Sequence, residues 1–437
     1  PLVRMWMNDS DNDGWGEPNE QNPYFNTEAK HSYSVFNDFN HQSDYTRAYT
    51  KRVIKQWINE YKIDGFRWDL TKGFTQNCST NDANCTNSYQ ADRVAVLKEY
   101  ADYSWSLDPK HYVIFEHLGG IEEEKEWANY KIEEGKGIML WGKMTDQYNQ
   151  LSMGYKTNNN IENMRSENRG FTKNHLIGYF ESHDEERLMY KNMIYGNSSN
   201  ENHNVKNLNI ALSRMSAVGA IGLLIPGPKM IWHFGERGME NSLFTCGDGS
   251  VQSNDGCKLA TKPQPQWENS WLTNVQRKKI FDDWSLMNQL KRDYTVFSGN
   301  SEINSLTTNN LIKRLYISDD NVNDQLSSVV ILTNFDVKSY NVPGGFPALG
   351  TWYDLMNNNV TLEVTSKDQT ISIGPGEFKV LGNGKVSLGF NQTILLSLEL
   401  QKNPVNDLIQ ISLPDSSEYA FYIYSTSGQL INNGIYN

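Results

Sequence analysis

The strongest local pattern in the chain is Ile63-Asp64-Gly65-Phe66-Arg67-Trp68-Asp69-Leu70-Thr71-Lys72, an apolar run with charge at alternate positions. Side chains alternate faces along a strand, so Arg67 and Asp69 point one way and Phe66 and Trp68 the other. The pattern predicts a strand that packs two rings against helices and presents an ion-paired carboxylate on its other face. Upstream, Tyr45, Ala48, Tyr49, Ile54, Trp57, Ile58 and Tyr61 recur at helical spacing. They predict a helix over residues 43–61, capped by Ser43 or Asp44. A second helix over about 90–107 sets Val94, Leu97 and Ala101 on one face. Apolar runs at 111–117, 138–141, 176–180, 221–225 and 230–234 read as further strands, the last two flanking Pro226-Gly227-Pro228. Helices alternating with such strands predict an α/β arrangement. From Tyr294 the texture changes to short β-prone runs, at 311–317, 328–332 and 369–373, separated by Gly, Pro, Asn and Asp. That texture predicts an antiparallel β-sandwich. A second small β-module is expected from Gly384 onward.

Three of the expected strands end in acids: Asp69, Glu116 after the run 113–115, and Asp184 in Glu181-Ser182-His183-Asp184. Glycoside cleavage needs one ionised carboxylate and one that keeps its proton. Arg67 favours the charged form of Asp69, and the apolar run before Glu116 would raise its pKa by desolvation. Asp184, beside His183, is placed to bind sugar hydroxyls, and Lys72 to donate to a substrate oxygen. Taken singly, each has a plainer reading: a structural Arg/Asp pair, a helix cap at Glu116, a turn at His183-Asp184. Spacing argues for the set. Asp69 and Glu116 are 47 residues apart, and Glu116 and Asp184 are 68 apart. Units of a (β/α)8 barrel run to about 30 residues and carry their active sites at strand C-termini.

Composition adds limits. At 437 residues, two to four domains are expected. The net charge of −12 argues against nucleic acid and anionic membranes as partners. No run approaches the roughly 18 apolar residues of a membrane helix. Aromatics make up 12 % of residues; most serve packing, but such rings also stack on neutral sugars. The four cysteines form two local pairs, Cys78 with Cys85 and Cys246 with Cys257, each bracketing a polar loop. Two loop-closing disulfides in an oxidising compartment are expected, with four free thiols as the alternative. Neither pair has the ligand spacing or neighbouring histidine of a zinc site. Near the start, Asp9, Asp11, Asp13, Gly14 and Glu20 match the alternating-acid pattern of a calcium loop. Residues 2–7 form no amphipathic helix and Pro18 lies inside the loop, so an EF-hand is not expected.

Four ordered segments resemble the alpha-amylase family, glycoside hydrolase family 13. Gly65-Phe66-Arg67-Trp68-Asp69-Leu70-Thr71-Lys72 resembles its nucleophile motif and Val113-Ile114-Phe115-Glu116 its acid/base motif. Phe180-Glu181-Ser182-His183-Asp184 is similar to the third carboxylate motif, and residues 226–236 to the last barrel strand. Together they cover roughly residues 37–290. The resemblance implies Asp69 as nucleophile, Glu116 as general acid/base and Asp184 as stabiliser of the distorted transition state. It implies Arg67, Lys72 and His183 as sugar ligands, α-glucan as substrate, retention through a covalent glycosyl-enzyme, and calcium as a structural ion. Gly73 stands where the family often has His, and Phe115 where it has a small residue. The family's first motif has no match, so three barrel strands are expected upstream of Pro1. The fragment itself is then expected to be inactive.

The tail, through Asn403-Pro404-Val405-Asn406-Asp407 and residues 423–428, resembles a type A sorting domain of the type IX secretion system, cut short at Asn437. This implies a secreted or cell-surface bacterial protein with that machinery as partner. The expected layout is therefore a remnant of the calcium-associated subdomain over 1–36, a partial TIM barrel over 37–293, a β-sandwich over 294–383 and the sorting domain over 384–437. An α-glucan branching or transferring enzyme, and a non-catalytic glucan-binding surface protein, are the rival functions.

Overall fold

The computed structural model describes residues 2–3, 5–9, 16–34, 36–253, 255–259, 269–304, 310–320, 326–387, 419–424 and 430–436. Pro1–Val386 forms one compact unit and Ser387–Asn437 a second.

The first unit begins with largely irregular chain, in which Met7–Asn8 (β1) pairs antiparallel with Glu17–Pro18 (β2). Asp38 then organises residues 26–38: it accepts from Asn26 and the Lys30 N–H at 2.7 and 2.9 Å and lies 3.4 Å from His31. Helix α1, Asp44–Tyr61, follows. Ser43 stands at its N-cap, but the hydroxyl donates to the Pro23 carbonyl and does not cap. Thr46, Ile54 and Ile58 face the core, whereas Tyr45, Trp57 and Tyr61 are exposed. Three of the aromatic positions in the periodic set thus lie outside, with Trp57 and Tyr61 packed on each other one turn apart, while Tyr49 packs against Phe39 and Tyr24. Lys62, in the left-handed region, ends the helix and turns the chain into β3, Gly65–Trp68.

Strands β3, β4 (Tyr112–Phe115), β5 (Met139–Lys143) and β6 (Leu176–Tyr179) form a parallel sheet in that order. The short helix α2, Ala83–Asn87, carries one cysteine of the first disulfide and is capped by Asp82. Helices α3 (Ala91–Leu107) and α4 (Ile121–Ala128) complete the crossovers. One face of the sheet meets them: Phe66 and Trp68 of β3 pack with Val94, Leu97 and Tyr100 of α3, Val113 and Phe115 of β4, and Trp127 of α4. The other face gathers Ile114, Trp141, Ile177 and Tyr179. The alternation expected at residues 66–69 therefore holds.

Two expectations fail downstream. After α5 (Thr145–Met153) and α6 (Leu188–Tyr195), residues 221–225, expected as strand, begin inside helix α7, Leu208–Leu223. Asn207 caps it through Oδ1, which accepts from the Asn209 and Ile210 N–H groups. The helix is buried nearly all round, so its short apolar run has no helical period to reveal it. Residues 230–234 also form no full strand. The chain touches β6 in a single parallel bridge, Gly178 with Lys229, then turns away at Phe234, whose φ is 61°. Beyond α8 (Asp255–Leu259), helix α9, Val275–Asp293, packs on α7, with Trp284 donating to the Met215 carbonyl. Gly219 makes that approach possible, since a Cβ there would sit 2.2 Å from the indole nitrogen.

Past α9 the antiparallel module appears as expected. Strands β7 (Asn300–Asn304), β8 (Ile312–Ser318), β9 (Ser328–Asn334), β11 (Gly350–Asp354), β12 (Val360–Val364) and β14 (Phe378–Gly382) form a sheet ordered β12-β11-β14-β9-β8-β7. A pair, β10 (Tyr340–Pro343) and β13 (Thr370–Ile373), packs over it around Val330, Leu332, Val342, Phe346 and Trp352. Buried Arg214 of α7 joins the modules by donating to the Phe335, Leu151 and Ser152 carbonyls. In the second unit, β15 (Tyr419–Tyr424) and β16 (Leu430–Tyr436) make an antiparallel pair. Of the residues on which the sorting-domain resemblance rests, 403–407 and 423–428, only Ile423 and Tyr424 at the end of β15 are among the described residues.

Candidate active site

Asp69 and Glu116 each follow the last residue of their strand, and the parallel pairing runs on past both strand ends. Trp68 is in register with Phe115, the Glu116 N–H donates to the Trp68 carbonyl at 2.9 Å, and the Thr71 N–H donates to the Glu116 carbonyl at 3.0 Å. The two acids are therefore neighbours at the C-terminal edge of the sheet. Arg67, on the same face as Asp69, ties them together. Its Nη1 is 2.5 Å from Asp69 Oδ1 and its Nη2 3.9 Å from Glu116 Oε2, while the guanidinium lies over the Trp141 ring at 4.2 Å.

Their environments differ. The Asp69 side chain is 76 % exposed and that of Glu116 12 %. Burial pushes the Glu116 carboxyl above the usual range, against the opposing pull of the Leu70 N–H, at 2.7 Å from Oε2, and of Arg67. Leu70 and Leu118 both take the left-handed backbone, with φ of 44° and 51°, immediately beyond these acids. Non-glycine residues held there cost on the order of 1 kcal/mol or more and concentrate at functional sites. At Leu70 the turn aims an N–H at Glu116. At Leu118 it aims a carbonyl at Lys72.

Asp184 lies in the loop after β6, at the same edge. Its side chain is 48 % exposed, with Lys258 Nζ at 2.5 Å and His183 Nε2 at 3.3 Å. Burial alone would raise its pKa, but Lys258, His183 and Arg67 together hold it below the usual range. His183 stands between the Trp141 and Trp232 rings, at 6.2 and 5.9 Å. Buried Tyr179, whose hydroxyl is pushed far upward chiefly by burial, feels the charges of Glu185, Glu116 and Asp184 and so lies among them. The site combines three carboxylates, one biased toward its neutral form and one toward its charged form, with aromatic walls.

Lys72, expected to donate to a substrate oxygen, is held at the same edge by contacts within the protein. It donates to the Leu118 carbonyl at 3.2 Å and to Asn87 at 3.4 Å, and lies over the Tyr33 ring. Behind it, Arg93 grips Glu123 through Nε and Nη2 at 2.8 and 2.6 Å, with both side chains at 0 % exposure. Arg93 also donates to the Lys72 and Thr86 carbonyls. His117 Nε2 is 2.8 Å from Glu123 and its Nδ1 3.1 Å from Thr71 Oγ1. This buried cluster fixes both loops that follow Asp69 and Glu116.

Both expected disulfides are present, Cys78–Cys85 and Cys246–Cys257. Of the calcium candidates, Asp11 and Asp13 lie outside the described residues. Asp9 and Glu20 flank the β1–β2 ladder, and among the described residues no three His, Cys, Asp or Glu side chains converge as a metal site requires. Gly73 packs directly against His31, with room for no Cβ. Trp141, Tyr179, Trp232 and Lys258 went unseen in the sequence as site residues. Trp141, Tyr179 and Trp232 carried a signal there only as members of the apolar runs at 138–141, 176–180 and 230–234, and Lys258 carried none.

No protein-family model matches the chain, and no curated protein matches it in sequence. Solved structures do match. Pullulanase from Anoxybacillus sp. LM18-11, complexed with maltotetraose, aligns at 16 % identity and TM-score 0.52, over 80 % of this chain and 48 % of that one. An Anoxybacillus alpha-amylase aligns at 14 % identity and TM-score 0.52, over 81 % of this chain and 66 % of that one. The alpha-amylase from Geobacillus thermoleovorans, complexed with acarbose, aligns at 13 % identity and TM-score 0.53, over 79 % and 65 %. The chain spans about half the length of the pullulanase and about two thirds of each amylase. At these identities the likeness is one of fold: this chain has the α/β and antiparallel-sheet architecture of pullulanases and alpha-amylases.

Proposed function

We propose that the chain carries the active site of a retaining glycoside hydrolase that cleaves α-1,4 bonds of starch-like glucans. The observation that supports this best is the pair of neighbouring strand ends where Asp69, paired with Arg67, meets Glu116, whose carboxyl is raised by burial. Asp69 attacks the anomeric carbon while Glu116 gives its proton to the departing glycosidic oxygen, leaving a covalent glycosyl-enzyme and a free chain end. Glu116, now a carboxylate, takes a proton from water as that water displaces Asp69. Asp184 and His183 engage the ring hydroxyls, and Trp141 and Trp232 offer apolar surface to the sugar faces.

The test uses the intact protein with amylose and pullulan, the second because pullulanases share the fold. Release of reducing sugar from amylose, lost in Asp69→Asn while binding persists, is the expected result. New α-1,6 branches with little reducing sugar would replace this reading with a transferase. Unchanged hydrolysis in Asp69→Asn would end the assignment of the nucleophile.

We also propose calcium held through the carboxylates of Asp9, Asp11, Asp13 and Glu20, where it would order the N-terminal segment. A chelator that leaves the melting temperature unchanged removes this proposal. Secretion by the type IX route is proposed from the tail. The two disulfides support an oxidising destination. Retention in the cell after deletion of residues 387–437 is the expected outcome.

A further inference from the structure

The described residues of 242–259 are tied to the Asp184 loop at both ends. At the start, Ser242 Oγ and the Leu243 N–H both donate to the Glu186 carboxylate, at 2.5 and 2.9 Å. Thr245 then pairs with Val251 in an antiparallel bridge, the Cys246 N–H donates to the Ser250 carbonyl at 2.7 Å, and the Gln252 N–H donates to the Phe244 carbonyl at 3.2 Å. These bonds make a tight hairpin. The Cys246–Cys257 disulfide fastens that hairpin to α8, and the next residue is Lys258, whose ammonium reaches Asp184 Oδ1 at 2.5 Å. Two acids two residues apart, Asp184 and Glu186, are thus held by the two ends of one disulfide-closed segment.

The tether has a physical purpose. Helix α8 has five residues, too few to hold its own position. A lysine on a free loop would lose rotamer and loop entropy to meet a half-exposed carboxylate, and such pairs usually contribute little. Closing the loop covalently removes much of that cost, because the disulfide restricts where residue 258 can go. Other charged or titratable groups around Asp184 are His183 beside it, Arg67 from β3, Tyr179 at the end of β6, and Glu185, which is turned to Lys143 at 2.9 Å. Among the described residues Lys258 is the one lysine or arginine in hydrogen-bond contact with Asp184.

We infer that Lys258 is a positioning residue for Asp184, delivered by the Cys246–Cys257 disulfide, so that the competence of the site depends on that bond being oxidised. The functional half of this inference rests on the proposed role of Asp184 toward a sugar; the tether does not. Lys258 orients the carboxylate that meets the ring hydroxyls and keeps it ionised.

The experiment has two arms, both on the intact protein. Carbodiimide treatment followed by peptide mass spectrometry should yield a zero-length Lys258–Asp184 crosslink, lost in Cys246→Ser/Cys257→Ser. A parent without the crosslink, or a double serine variant that keeps it, overturns the tether. In kinetics on amylose, Lys258→Gln should lower kcat about tenfold and move the acid limb of the kcat/KM profile up by about one pH unit, because an opposite charge at this distance lowers an aspartate pKa by about 1–3 units. Lys258→Arg should restore both, and Cys246→Ser/Cys257→Ser should resemble Lys258→Gln. A Lys258→Gln enzyme with the parent's kcat and acid limb overturns the positioning role. A parent that cleaves no α-glucan but forms the crosslink refutes the proposed function and supports the tether.

Discussion

Replacing Arg93 by methionine tests the idea that a buried ion pair holds the loops that follow Asp69 and Glu116. Arg93 and Glu123 are both fully enclosed, with two short contacts between them. Removing one partner of such a pair costs about 3–5 kcal/mol, because the other charge is left buried and uncompensated. Unfolding entropy is about 2.1 cal/mol/K per residue, which over the 386 residues of the first unit gives about 0.8 kcal/mol/K. The expected drop in melting temperature is therefore about 4–6 °C. Turnover should fall as well, since Arg93 releases the Lys72 and Thr86 carbonyls when it goes. Arg93→Met/Glu123→Leu removes both charges and leaves His117, whose own pKa is lowered chiefly by burial, as a neutral ring. That double variant should recover most of the loss. Acid has a defined effect too. Although burial alone would raise Glu123, His117 and Arg93 hold its carboxyl below the usual range. Its contribution is complete above the unfolded pKa and is lost as pH falls through the lowered folded value, so the gap between parent and Arg93→Met should narrow below about pH 4. Calorimetry across pH measures all of this. A single variant within 1 °C of the parent and equal in kcat, or a double variant less stable than either single, would refute the reasoning; the 1 °C threshold is roughly a quarter of the smallest expected shift.

Arg67→Gln should move the basic limb of kcat/KM to higher pH, because Arg67 opposes the burial that already raises Glu116; a fixed basic limb would separate that limb from Glu116. Lys291 and Lys229 both donate to the Gly227 carbonyl, and burial lowers Lys291 to about 8. A cation whose folded pKa is depressed makes stability rise with pH between the folded and unfolded values, here from about 8 to about 10.4. Lys291→Met should flatten the melting temperature over that window. Cys78→Ser/Cys85→Ser opens a loop with seven-residue separation. The loop-entropy relation gives about 2.5 kcal/mol, or about 3 °C in melting temperature, and no change would place the constraint elsewhere.

The three acids stood out in the sequence because each sits one to five residues past an apolar strand of ordinary length, and because their order and spacing resemble the amylase motifs. What made them a site was not legible. The likeness to a nucleophile motif pointed to Lys72 as a sugar ligand, but not to the bond its ammonium gives the Leu118 carbonyl, 46 residues away in sequence. The apolar runs at 221–225 and 230–234 looked like strands because short runs carry no period. Packing of α7 against α9, and an early departure from β6, decided otherwise.

The sequence by itself determined the faces of β3, since a two-residue repeat is a property of the backbone and needs no partner. It likewise determined the two cysteine pairs, which are close in the chain before folding. Only the tertiary structure decided which carboxylate is pushed toward its neutral form and which is held charged. That depends on burial and on cations brought from elsewhere: Arg67 for Glu116, and for Asp184 a lysine 74 residues further along the chain. Desolvation and Coulomb attraction act through space, and the space between these groups exists only in the fold.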